Sequence, residues 1–163
     1  MAELWDAYDR DFTKIQGKTL VRGLPVPEGC YHLVCEVCVK HTDGTYLIMR
    51  RDPNKTHGGK WELTAGGSAI QGEEPYFCAI RELREETGIT SDSLTEIGRV
   101  IRDDNRTLYV EYFCVTSCDK DSVVLQEGET VDYKWITREE LFALTEETFI
   151  TRRMTKIMSE MGI

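Results

Sequence analysis

Three glutamates, Glu82, Glu85 and Glu86, fall at positions i, i+3 and i+4 of one stretch of the chain. On an α-helix that spacing brings their side chains onto neighbouring turns of one face. Hard divalent cations prefer carboxylate oxygens, and magnesium in particular bridges protein carboxylates to substrate phosphates while keeping several waters. A solvated acidic face is the ordinary reading of clustered glutamates, and Arg81 and Arg84 offset part of their mutual repulsion. The triplet alone therefore leaves both readings open.

The surrounding residues decide between them. Gly67 is followed after five residues by Glu73, after seven more by Arg81-Glu82-Leu83, after one by Glu85-Glu86, and after one by Gly88-Ile89. This pattern resembles the Nudix box at every required position. The resemblance implies an α/β/α sandwich with a mixed sheet, and a magnesium-dependent diphosphatase in which manganese can substitute. Metal-activated water would attack one phosphorus of a small-molecule diphosphate, such as a nucleoside diphosphate derivative.

By the same resemblance, Glu82, Glu85 and Glu86 hold the metal, with the backbone carbonyl of Gly66 completing the set. Glu82 and Glu85 act with Arg81 in catalysis, Arg81 by pairing with a box glutamate. Glu73 supports the ligands from behind, and Gly67 and Gly88 are the motif's glycines. Some relatives recruit a glutamate from a later loop, for which Glu127 and Glu129 are the candidates. Arg51 and Lys55 flank Asp52-Pro53-Asn54 as cationic clamps for a phosphate.

Two rival readings share the fold. An N-terminal hairpin, Tyr31-His32-Leu33 and the Arg51/Lys55 pair resemble isopentenyl-diphosphate isomerases, but the cysteine those enzymes use is replaced by Ala65-Gly66-Gly67 and the box here is intact. A nucleotide sensor would be expected to lose box glutamates, and none is lost. Trp61 and Tyr109 are candidates for stacking a base, although aromatics beside strands more often belong to a core.

The elements that must position these residues follow from pattern. Glu3–Tyr8 and Lys18–Arg22 read as a hairpin, so that residues 1–29 form a hairpin and linker packed on a main domain of residues 30–163. The hairpin packs on its own domain or exchanges across a homodimer. Tyr31–His41 and Thr45–Arg51 form a second hairpin around an Asp-Gly turn. Trp61–Thr64 is a strand running into an Ala65-Gly66-Gly67 loop, and a helix spans about Glu74 to Thr87, with Pro75 in its first turn and Gly88 as its left-handed cap. In that helix Tyr76, Ala79, Ile80 and Leu83 form a packing stripe, leaving the glutamate face free for metal. Leu94–Ile101, Leu108–Thr116 and Val131–Ile136 are strands, and Arg138–Ala143 and Thr151–Met161 are helices, the last with a methionine stripe.

Composition narrows the partners. Lys and Arg number 20 against 29 Asp and Glu, a formal charge of −9, which repels duplex nucleic acid and acidic membranes. No window approaches a membrane span, and no secretory signal opens the chain. A cytoplasmic protein is expected, with its 6 cysteines reduced and packed as small hydrophobes. Cys35 and Cys38 are three apart on a strand, so they point to opposite faces instead of forming a zinc knuckle.

Overall fold

The computed structural model describes residues 1–150 and 152–163. Thr151, expected to open the last helix, lies outside the described residues. A two-stranded hairpin, β1 (Leu4–Tyr8) and β2 (Lys14–Val21), precedes a mixed sheet of seven strands. Strand β2 begins four residues before the expected Lys18. Its extra residues pair back, Lys14 opposite Tyr8 across a bulge, which the polar Lys-Ile-Gln-Gly run did not announce.

The sheet is built around β3 (His32–His41). It runs parallel to β8 (Thr107–Thr116) along ten residue pairs and antiparallel to β6 (Thr64–Ser68). Strand β7 (Leu94–Arg102) lies outside β8, while β4 (Tyr46–Arg51) carries β5 (Trp61–Glu62) and β9 (Thr130–Ile136). The expected β3–β4 hairpin is present only at its turn, where Lys40 pairs with Tyr46. Beyond that point β4 leaves for β9, and β6 takes its place beside β3.

Alternation sorts the strands into two cores. Leu33, Cys35, Val37, Val39, Leu47 and Met49 face helix α1 (Pro75–Thr87). Cys38, Tyr46 and Ile48 face the other way, towards α2 (Arg138–Ala143) and α3 (Arg152–Met161) through Leu141, Met154 and Met158. The mixed sheet thus lies between helices, and Cys35 and Cys38 do occupy opposite faces. Met161, the last of the methionine stripe, is exposed.

Ala65-Gly66-Gly67 is not a loop, as expected, but the centre of β6, paired with Val37, Glu36 and Cys35. The glycines allow the strand to press against its neighbours: a Cβ at Gly66 would run into the Cys35 carbonyl and the Glu36 backbone. The hairpin abuts the end of β6, with the Gln71 amide donating to the Leu4 carbonyl at 2.8 Å and the Gly72 amide to Asp6 Oδ2 at 2.8 Å. Among the described residues no helix is long and apolar enough to cross a membrane.

Candidate active site

Helix α1 starts where Pro75 can supply a fixed φ and forgo an N–H. It ends where Gly88, at φ 74°, turns left-handed and donates its amide to the Arg84 carbonyl. The face it turns to the sheet keeps Ala79 and Leu83 of the expected stripe but extends beyond it. Cys78, Ala79, Glu82, Leu83, Glu86 and Thr87 are its buried residues, whereas Tyr76 and Ile80 are only half-buried. Two box glutamates therefore lie under the helix, 9% and 7% exposed for Glu82 and Glu86, and do not stand free on an open face. Only Glu85 is exposed.

The burial of two carboxylates requires partners. Glu86 Oε2 accepts a hydrogen bond from the Gly66 amide at 3.0 Å. Glu82 lies against Gly67 so closely that a Cβ there would sit 2.5 Å from Glu82 Oε1. Arg81 gathers the rest. It donates to both oxygens of Glu73 at 2.8 and 2.9 Å, to Glu82 at 2.6 Å, to Glu85 at 3.1 Å and to the Ser68 carbonyl at 3.1 Å. That fork fixes Glu82 and ties the helix to the loop after β6.

A cleft of about 340 Å³ follows β6 from Thr64 to Ser68. Glu82, Glu85, Glu86, Arg81, Gly66 and Gly67 line it, as do Arg51, Lys55 and Glu129. Most of the residues expected in the site are thus brought together. Glu73 stands behind, through Arg81. Glu127 does not line the cleft and is exposed, so of the two later glutamates the loop turns only Glu129 inward. The expected cationic clamps carry partners of their own: Arg51 pairs with Glu62 at 2.9 Å and Lys55 with Glu129 at 2.6 Å. Trp61 and Tyr109 are absent from the cleft and instead pack beneath cations, Lys134 at 4.4 Å and Arg153 at 3.9 Å from their ring centres.

Several lining residues were not foreseen. Glu36 and Glu62 sit in the cleft wall, and the signal for each was a lone charge inside an apolar strand. Glu3 and Arg22 arrive from the hairpin, a placement that only the tertiary fold determines. Behind the wall, Arg153 of α3 bridges Glu36 and the fully buried Glu111, whose second oxygen has no hydrogen-bond partner among the described residues.

Electrostatics mark the cleft as short of positive charge. Burial pushes the Glu86 carboxyl well above the usual range, and the nearby charge of Glu62 adds to this against the Gly66 hydrogen bond. Burial likewise raises Glu62 to about 7 despite Arg51, and raises Glu82 despite Arg81. A wall this rich in carboxylate oxygens fits a hard divalent cation. Among the described residues no group of three carboxylates already converges as a metal cage.

Residues 31–157 match the family model of the NUDIX domain. An uncharacterized Nudix hydrolase of Listeria monocytogenes is 32% identical over 143 residues, covering 87% of this chain and 84% of that protein. An isopentenyl-diphosphate Delta-isomerase of Corynebacterium diphtheriae is 29% identical over 131 residues, covering 75% of this chain and 72% of the relative. The NUDIX domain of Shewanella oneidensis NrtR, solved in complex with ADP ribose, superposes with a TM-score of 0.65 at 15% identity, covering 82% of this chain and 89% of that one. With its box glutamates gathered along one cleft and the domain model spanning most of its length, the chain belongs to the Nudix hydrolase family.

Proposed function

We propose that this protein cleaves a diphosphate linkage in a small molecule, a nucleoside diphosphate derivative, with water as the attacking group. The observation that carries the reading is the seating of Glu82 and Glu86 beneath α1 against Gly67 and Gly66, at the wall of a polar cleft. Glu82, Glu86 and the Gly66 carbonyl would hold magnesium, or manganese in its place, with Glu85 at the open side. When bound, the cation supplies an acidified water and offsets phosphate charge. Arg81 keeps Glu82 and Glu85 in register with the strand. Arg51 and Lys55 face the substrate's phosphates, and Glu129 is the later-loop glutamate that shares the site.

The isomerase reading has a named relative in its favour, but the cleft opposes it. None of the lining residues is a cysteine, an aromatic or a large aliphatic, so a prenyl chain would meet only polar groups. The NrtR domain's ligand, ADP ribose, supports a nucleoside diphosphate in this fold. That the hairpin contributes Glu3 and Arg22 to the same cleft supports its packing on the main domain of its own chain.

The test is turnover of a panel of nucleoside diphosphate compounds and isopentenyl diphosphate, with magnesium or with chelator, by wild type and Glu86→Gln. Metal-dependent cleavage that the variant loses is the expected result. Isomer formation without cleavage would overturn the hydrolase reading, and binding without turnover would make the protein a sensor.

A further inference from the structure

The cleft offers no ring to a nucleobase, because no lining residue is aromatic. A second cavity of about 600 Å³ shares no residue with the first. It lies between the hairpin, the start of α1 and strands β7 and β8, walled by Tyr8, Phe12, Leu33, Tyr76, Arg99 and Tyr112. Its size is that of a small-molecule site.

Two of its aromatic residues are largely buried but keep their hydroxyls open to the cavity. Tyr8 is 5% exposed and Tyr112 4%, but neither hydroxyl has a hydrogen-bond partner among the described residues, and neither is sealed from solvent. Their neighbours are satisfied: Tyr31 donates to Asp103 at 2.6 Å and Tyr76 to the Asp92 carbonyl at 2.5 Å. A phenol with no protein partner that opens onto a cavity is free to bond a ligand there in place of water. Two phenols opening onto one cavity mark positions for a ligand's polar edge.

The remaining wall sets the ligand's chemistry. Tyr76 stands edge-on to Tyr112 at 6.1 Å. Phe12 is held at φ 64°, a left-handed conformation uncommon for a bulky residue, with Arg99 5.0 Å from its ring centre. The cations are already neutralised, Lys14 by Asp6 at 2.9 Å and Arg99 by Glu96 at 2.6 Å, so no charge is left over for a phosphate. We propose that this cavity binds an uncharged planar heteroaromatic ring of nucleobase size, against the aromatic wall, with the Tyr8 and Tyr112 hydroxyls bonding its edge.

The ring has two conceivable sources, a free nucleoside or the base of an intact nucleoside diphosphate. The experiment is a titration of the full chain with adenosine, guanosine, cytidine and uridine, followed by amide nuclear magnetic resonance. At least one nucleoside is expected to shift the amides of Thr13, Tyr76 and Arg99. Tyr8→Phe and Tyr112→Phe, which keep the ring and lose only the hydroxyl, are each expected to weaken binding about fivefold, the worth of one neutral hydrogen bond. Displacement by an uncleaved nucleoside diphosphate assigns the seat to the substrate's own base, and simultaneous binding assigns it to a free nucleoside. Silence to all four at about 10 mM, shifts confined to Gly66–Ser68, or undiminished binding in both variants would overturn the proposal.

Discussion

The Gly66 amide donates to Glu86 Oε2 at 3.0 Å, so the strand that forms the cleft wall and the helix that carries the box are joined at the point where the metal is expected. Glycine at position 67 leaves room for the neighbouring carboxylate of Glu82, which Arg81 holds in place at 2.6 Å. In Gly67→Ala the new methyl would fall 2.5 Å from Glu82 Oε1 and push it out of place. We expect kcat/KM to fall about 100-fold, the usual cost of misplacing a catalytic group by an ångström. Activity within a factor of about two of wild type would show that the position of Glu82 is unimportant.

Arg81 is the hub of the site, with bonds to Glu73, Glu82, Glu85 and the Ser68 carbonyl. Arg81→Ala strands partly buried carboxylates, and its expected cost is about 3 kcal/mol in urea unfolding at an unchanged slope. Arg81→Lys keeps the charge but not the fork, so it should recover only part of that loss. Full recovery by lysine would mean that charge alone mattered.

Glu111 provides a pH test away from the cleft residues expected to bind metal. Burial raises its carboxyl to about 8, with Glu36 adding and Arg153 opposing, from an ordinary value of 4.5. Between those values the folded state holds a proton that the unfolded chain has released, so its contribution to stability falls as pH rises through that window. Glu111→Gln removes the titration. The variant should therefore gain in Tm relative to wild type by several degrees between pH 5 and pH 8. A constant difference between the two proteins across that range would contradict the raised value.

Metal binding should be visible without substrate. Magnesium or manganese at about 100 times its dissociation constant stabilises a folded state by about 2.7 kcal/mol, a shift of a few degrees in a protein of this size. That shift is expected in wild type and absent in Glu86→Gln. An equal shift in both would place the ion elsewhere.

Much of this site could be read from the residues alone, and the failures have physical causes. The box spacing gave the helix, its caps and the carboxylates, because those depend on local chemistry. The stripe of Ala79 and Leu83 is legible, but burial of Glu82 and Glu86 beside it is not, because both are charged and the Gly66 amide and the Arg81 fork are what make it tolerable. Strand β6 reads as a loop from its residues because glycine signals a turn in isolation; in the fold it signals close packing against Glu36 and Cys35. Glu36 and Glu111, isolated charges in apolar strands, were visible but unexplained until Arg153 arrived from 42 residues beyond Glu111. The placement of Glu3 and Arg22 in the cleft depends wholly on how the hairpin docks.

The most direct test of the hydrolytic account is turnover in water enriched with oxygen-18, with each product weighed by mass spectrometry. Cleavage by water predicts one labelled oxygen in one phosphate product per turnover, with no label entering when Glu86→Gln replaces wild type. A rearranged product of unchanged mass, or cleavage without label in either phosphate, would contradict attack by water on phosphorus.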